Sequence, residues 1–283
     1  MNPDLRSHLQ HILGVSSFRE SSLSGGDAAS AWRLETVSGN RYFVKSVAQG
    51  SPFKMEALGL RLFASSKGIR VPEVIAFEST FLLLEWIAFG APAKDVQSRL
   101  GEQLALTHLA NRAGSYGFEE DHFIGASPQK NWPLVPQKSG SWAEFWWLYR
   151  LEPMFKRLGD SGLQHLANQL APRLEQLLPD PKGEASLLHG DLWSGNVAAD
   201  ENGQPVMFDP APYYGHPEAE LGMTQLFGGF TSTFYEVYAE TFPMESGWKE
   251  RVDLYMLYHV LNHACLFGGS YITQAERILK RYL

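Results

Sequence analysis

The chain has 283 residues, 44% of them hydrophobic and 19% charged, a globular composition that excludes disorder and fibrous structure. Its formal charge of −7 argues against a nucleic-acid binder, which shows a clustered basic face. One cysteine, Cys265, excludes an intramolecular disulfide framework and any multi-cysteine metal site, as in a reducing compartment. The N-terminal residues lack the apolar core of a signal peptide, and no apolar run nears the roughly 18 residues a spanning helix needs. A soluble cytoplasmic protein, bound to neither membrane nor nucleic acid, is expected.

Residues 4–14 read as a short amphipathic helix, with Leu5, Leu9, Ile12 and Leu13 on one side. Residues 21–27 form a polar turn containing Gly25 and Gly26. Strands are expected at 31–37 and 41–47, joined by Ser38-Gly39-Asn40, whose Gly and Asn tolerate positive φ. In the second strand Tyr42 and Val44 face one side, Phe43 and Lys45 the other. A helix over 54–67 stops near Gly68. Two more strands follow at 74–77 and 81–85, the second apolar enough to be buried on both faces.

Beyond Trp86 the pattern turns helical, with helices at 99–111, at 142–155 (interrupted near Pro153), at 163–178, and over most of 252–283. The long stretch 116–139, rich in Gly, Pro and Gln, reads as a functional loop.

The chemistry concentrates in His189-Gly190-Asp191-Leu192-Trp193-Ser194-Gly195-Asn196, followed by Val206-Met207-Phe208-Asp209. Phosphoryl transfer needs a carboxylate to orient and deprotonate the attacking hydroxyl, oxygen ligands for Mg²⁺, and a lysine for the α- and β-phosphates. Asn196 follows Asp191 by five residues, the spacing of a kinase catalytic base and its metal-binding Asn. Asp209 ends an apolar strand behind the turn Glu201-Asn202-Gly203, where the second metal ligand is expected. Each piece is weak alone; together they are specific. Lys45 lies in an otherwise apolar strand, and Glu56, early in the next helix, is its natural partner. Gly25 and Gly26 would let backbone amides approach phosphate, although a full G-x-G-x-x-G is missing. Glu85-Trp86-Ile87-Ala88 stands where a hinge would offer backbone groups to adenine.

The reading is therefore an α+β, bilobal protein-kinase-like fold with ATP in the cleft. Residues 1–86 would form a sheet-rich N-lobe and 87–283 a mostly helical C-lobe. Asp191 is the expected base, Asn196 and Asp209 the Mg²⁺ ligands, and Trp193 a plate beside the acceptor. His189 is expected to brace the loop rather than move a proton. His259 and His263, at i and i+4, lack an evident third ligand and read as structural, as does Cys265. Trp142, Trp146 and Trp147 read as helix-core packing.

These residues resemble the fructosamine/ketosamine-3-kinase family. The likeness is carried by the stretch from His189 to Asn196 with Phe208-Asp209-Pro210-Ala211, and by Tyr213-Tyr214-Gly215-His216-Pro217-Glu218. Further similar pieces are Ile124-Gly125, Pro128-Gln129-x-Asn131, Leu226-Phe227-Gly228-Gly229-Phe230, Leu261-Asn262-His263 and Leu266-Phe267-Gly268-Gly269. The likeness runs from Gly25 to Gly269. It implies ATP-dependent phosphorylation of the sugar 3-hydroxyl on a ketosamine, free or borne on protein lysine, which destabilises the adduct and leads to deglycation. Aminoglycoside and choline kinases of the same superfamily are the alternatives. A catalytically dead binding module is disfavoured, because lysine, base and metal ligands are all retained. Many members of the family carry a cysteine in the glycine-rich loop, capable of redox-linked dimerisation. Asp27 stands in that loop here, so a monomer is the simpler expectation.

Overall fold

The computed structural model describes residues 1–23, 29–50, 52–66 and 68–283. Helix α1 (Pro3–Leu13) starts where the Asn2 side chain accepts the Asp4 amide and ends on Gly14 in the left-handed region. Strands β1 (Phe18–Leu23), β2 (Ser30–Thr36) and β3 (Arg41–Ser46), helix α2 (Phe53–Ser65), and strands β4 (Val74–Phe77) and β5 (Phe81–Glu85) follow. The strands form one antiparallel sheet in the order β1-β2-β3-β5-β4. Ser21–Leu23, expected in a turn, instead ends β1, where cross-strand pairing with Ala31–Arg33 overrides the polar sequence. The glycine pair Gly25-Gly26 lies outside the described residues.

Alternation along β5 explains the layering. Phe81 and Leu83 pack with Leu9 of α1 on one face, while Leu82 and Leu84 join α2 residues on the other. All four are essentially inaccessible, as their continuous apolar run predicts. In β3, Val44 and Tyr42 meet the α1 cluster, which turns Phe43 and Lys45 toward α2. Lys45 sits opposite Leu82 in the register.

The rest of the chain is mainly helical. Helix α3 (Val96–Ala110) leads to short strands β6 (Arg112–Ala113) and β7 (Ser115–Tyr116). The expected loop 116–139 is an ordered excursion, with β8 (His122–Ile124) paired to β9 (Ser127–Gln129), and β10 (Val135–Pro136) paired back to β7. Helices α4 (Trp142–Phe145) and α5 (Glu152–Leu158) are joined by a π-helical turn, Trp146–Leu151, rather than broken. Pro153 cannot donate to the Tyr149 carbonyl and its ring crowds that group. The wider π turn makes room, with the Glu152 amide reaching back to Trp147 O, and Tyr149 O accepts Arg150 Nη1 at 3.1 Å instead.

Next come α6 (Ser161–Leu170), α7 (Leu174–Leu177), β11 (Ala185–Leu188), the hairpin β12 (Val197–Ala199) and β13 (Pro205–Met207), and β14 (Tyr213–Gly215). Helices α8 (Glu218–Leu226), α9 (Ser232–Thr241), α10 (Trp248–Phe267) and α11 (Ser270–Arg281) complete the chain. Helices α8 and α9 were not expected from the sequence. Helix α8 is buried on nearly every side, so it lacks the polar face that reveals a surface helix. Trp142 and Trp146 are wholly buried in the core, as expected, and Trp147 packs against it. No helix among the described residues is long and apolar enough to cross a membrane.

Candidate active site

The buried strand β11 delivers the chain to His189. At Gly190 the backbone takes φ +79°, and a Cβ there would lie 2.1 Å from Ala211 O, so only glycine fits between the loops that carry Asp191 and Asp209. The His189 ring is buried, and burial holds its pKa below the ordinary value despite the nearby Glu220 carboxylate. The neutral ring donates from Nε2 to Phe208 O at 2.8 Å and accepts the Asp191 amide on Nδ1 at 3.3 Å. It braces two loops and leaves proton transfer to others.

Asp191 emerges two residues on. Asn196 Nδ2 donates to Asp191 O at 2.9 Å and to its Oδ2 at 3.3 Å, closing the loop from base to amide. With its nitrogen so committed, Asn196 offers its amide oxygen as a ligand atom. Burial, then the neighbouring Asp209 carboxylate, push the Asp191 pKa well above the ordinary carboxylate range; the Asn196 bond opposes this and Glu220 adds to it.

The hairpin β12–β13 places Asp209. Its turn is fixed by Asp200, which accepts the Asn202 and Gln204 amides at 2.9 Å each and pairs with Arg70 at 2.6 Å. Asp209 has φ +60°, the one non-glycine in the left-handed region among the described residues. Such a conformation persists where its surroundings hold it. Here Phe208 N donates to Asn196 O, and Ala211 N to His189 O, on either side of it. The carboxylate is 44% exposed and so open to a ligand.

Lys45 reaches this point from the sheet. Its Nζ lies 2.8 Å from Glu56 Oε1 and 2.5 Å from Asp209 Oδ1. Burial works against the ammonium, but Glu56 and then Asp209 overcome it, so the Lys45 pKa is raised and the group stays charged. The cluster joins residues 164 positions apart in sequence.

Of the other expected site residues, Glu85 ends β5 with its carboxylate bound to Arg70 at 2.7 Å and to the Glu73 amide at 3.2 Å. Trp86, Ile87 and Ala88 then run without regular structure, Trp86 lying under the Arg33 guanidinium. Trp193 is 36% exposed and meets Phe227 edge-on at 5.6 Å. His263 donates from Nδ1 to His259 O, an in-helix bond, and no group of three or more His, Cys, Asp or Glu side chains that could hold a metal ion exists among the described residues.

Sequence reasoning missed the residues that hold these groups in place. Glu220 of α8 is buried and accepts the His189 and Gly190 amides at 2.5 and 3.1 Å, with His108 Nε2 3.6 Å away. Gln129 donates to Ala211 O at 3.0 Å and accepts Tyr258 OH at 2.9 Å. Arg150, fully buried, donates to Lys130 O and Asn131 Oδ1 and lies 3.9 Å from the Tyr213 ring centroid. The Pro128-Gln129-x-Asn131 piece was a visible signal for part of this network; Glu220 and Arg150 had none.

A fructosamine kinase family model matches residues 1–283. The chain is 41% identical to a chloroplastic protein-ribulosamine 3-kinase of Oryza sativa subsp. japonica over 285 residues, covering 96% of this chain and 79% of that protein. The crystal structure of a Thermobifida fusca YX-ER1 protein assigned as a fructosamine-3-kinase superposes with a TM-score of 0.87 at 31% identity, covering 99% of this chain and 98% of that one. An aminoglycoside phosphotransferase, APH(4)-Ia, shares the fold alone, with a TM-score of 0.62 at 17% identity and 98% coverage of both chains.

Proposed function

The chain belongs to the fructosamine kinase family, and on that premise we propose that it phosphorylates the sugar 3-hydroxyl of a ketosamine with ATP as donor. The carrying observation is the convergence of Asp191, Asn196, Asp209 and the Lys45–Glu56 pair in one place. Asp191 accepts the proton of the attacking hydroxyl and orients it; a carboxylate with a raised pKa is the better base near neutrality. Lys45, held by Glu56, positions the α- and β-phosphates. The loop around Gly25 and Gly26 offers amides to phosphate, and the segment from Glu85 to Ala88 offers backbone groups to adenine.

The Asn196 amide oxygen and the exposed Asp209 carboxylate form a hard-oxygen pair that suits Mg²⁺. Those two residues would hold the ion, which when bound neutralises charge on the phosphates. Asp209, which here binds Lys45, would serve as a ligand to the ion, and Lys45 would be left to the phosphates.

Trp193, beside the base, supplies an apolar plate for the sugar. The C-terminal residues 271–283 carry Glu276 against Arg277, Lys280 and Arg281, and lack the carboxylate cluster a polycationic aminoglycoside would need. A ribulose- or fructose-lysine adduct is the acceptor we favour, turned over by a cytoplasmic monomer. The test incubates enzyme, ATP and Mg²⁺ with each adduct, kanamycin and choline. A phosphate mass increment on a ketosamine is expected. Turnover of kanamycin or choline with no turnover of any ketosamine would overturn the acceptor while leaving the kinase.

A further inference from the structure

Two similar tetrapeptides, Leu226-Phe227-Gly228-Gly229 and Leu266-Phe267-Gly268-Gly269, end helices α8 and α10. All four glycines have positive φ, from 62° to 93°, so each helix stops abruptly and leaves its last phenylalanine at the surface. Phe227 is 41% exposed and Phe267 is 61% exposed. Both rings converge on His263, at 5.1 and 5.8 Å between centroids, and Tyr271 meets the same imidazole at 5.2 Å. Phe227 in turn meets Trp193. The result is an open row of rings that begins two residues past Asp191 and runs outward to the start of α11.

The row is fixed to the catalytic loop. Gly229 lies against Ser194, where a Cβ would come within 2.5 Å of Ser194 Cβ. Gln97 holds the turn from both sides, donating to Gly229 O at 3.2 Å and accepting the Thr231 amide at 3.0 Å.

Its chemistry suits a cation. Elsewhere the protein's own guanidiniums cover aromatic rings, as Arg33 does over Trp86 and Arg150 over Tyr213. Among the described residues no Lys or Arg lies over Trp193, Phe227, Phe267 or Tyr271. Burial holds the His263 pKa below its ordinary value, so the imidazole adds no positive charge. Its Nδ1 hydrogen is given to His259 O, which leaves Nε2 as an acceptor. A ketosamine nitrogen is a secondary amine, protonated at neutral pH, on the carbon beside the keto group and so close to the reacting hydroxyl. Because the outer end of the row is open, the remote end of the substrate can stay in solvent.

Resting on the ketosamine reading above, we propose that this aromatic row binds the ammonium and methylene stem of a ketosamine borne on a polypeptide lysine. Cation–π attraction to Trp193 and Phe227 holds the ammonium, and Phe267 and Tyr271 cover the stem.

Two measurements test this. The first is the kcat/KM of wild type, Phe227→Leu and Phe267→Leu on Nε-fructosyl-Nα-acetyl-lysine and on the fructosyl adduct of methylamine, which has no stem. Phe227→Leu is expected to lower both about tenfold through KM, the size of one or two cation–π contacts. Phe267→Leu is expected to lower the lysine adduct selectively; equal losses on both adducts would overturn the lysine assignment. The second is binding of N-methylbutylammonium and of uncharged butyl methyl ether by ligand-observed NMR. The cation should bind more tightly, and Phe227→Leu should weaken it. Equal binding of cation and ether, or no change in the variant, would overturn the site whatever the kinetics show. Cation binding that behaves as expected, with no ketosamine turned over, would support the ammonium site and sink the acceptor reading alone.

Discussion

Asp191, the proposed base, sits in a place that disfavours its charge. Burial and the adjacent Asp209 carboxylate raise its pKa well above the ordinary value. Between the unfolded and native pKa values the native state therefore holds a proton that the unfolded chain has released. Stability from this group is present at low pH and is lost as pH rises through that window. Above that window the ionised carboxylate costs the fold stability, and neutral asparagine removes the cost. Asp191→Asn should thus cut turnover by at least about 10²-fold, the lower range for loss of a general base. At the same time it should raise the melting temperature at pH 7 by about 2 °C or more. ATP binding should persist. A variant that is inactive and less stable would contradict the burial argument; one with near-normal turnover would remove Asp191 from the chemistry. The meeting of Asp191 and Asn196 was legible because the two sit on one short loop, where sequence spacing and spatial spacing agree.

Helices hold the loop, and their contribution was harder to read. Glu220 binds backbone amides, which carry no residue-type signature, and it lies on a helix whose sequence shows no clear polar face. Glutamine has one carbonyl oxygen, so Glu220→Gln must turn its amide nitrogen toward one of the two loop N–H groups. Hydrogen bonds to a charged group are worth about 1.5–3 kcal/mol. A fall in kcat of about tenfold or more is expected, with little change in the KM for ATP and partial recovery in Glu220→Asp. A change confined to the KM for ATP would show that α8 does not position the base. The π turn of Trp146–Leu151 acts through other contacts. It presents Arg150 to the excursion at Lys130 and Asn131, and Gln129 of that excursion holds Ala211, two residues past Asp209. The sequence marked Pro153 as an irregularity but could not show that the helix would widen instead of breaking. Arg150→Met takes the donor from three acceptors, Lys130 O, Tyr149 O and the buried Asn131 Oδ1, and a loss of about 2 kcal/mol or more in denaturant unfolding is expected.

Across the whole molecule, the N-terminal sheet meets the loop after the β12–β13 hairpin where Lys45 binds Asp209. The sheet was legible because β2, β3 and β5 alternate or run apolar with clear turn chemistry between β2 and β3, and that alternation alone puts Lys45 on the α2 face. That Asp209 would touch Lys45 was not legible, since the two are 164 residues apart and only the packed fold brings them together. The contact has a consequence for catalysis. Lys45 is held by two carboxylates; if Asp209 serves the metal and Lys45 the phosphates, as proposed, Lys45 would give up Asp209 for phosphate while Glu56 keeps it in place. Without Glu56 the ammonium has Asp209 as its remaining partner, competing with the metal for that carboxylate. Glu56→Gln should therefore raise the KM for Mg·ATP, and Lys45→Met should lower kcat/KM for ATP further by removing the phosphate contact. If the pair acts as one unit, Glu56 has nothing left to hold once Lys45 is gone. The double variant should then fall little below Lys45→Met alone, a non-additivity that steady-state kinetics on the four proteins measures directly. Fully additive losses would mean that Glu56 serves α2 or the cleft independently of Lys45, and that Asp209 alone positions the lysine.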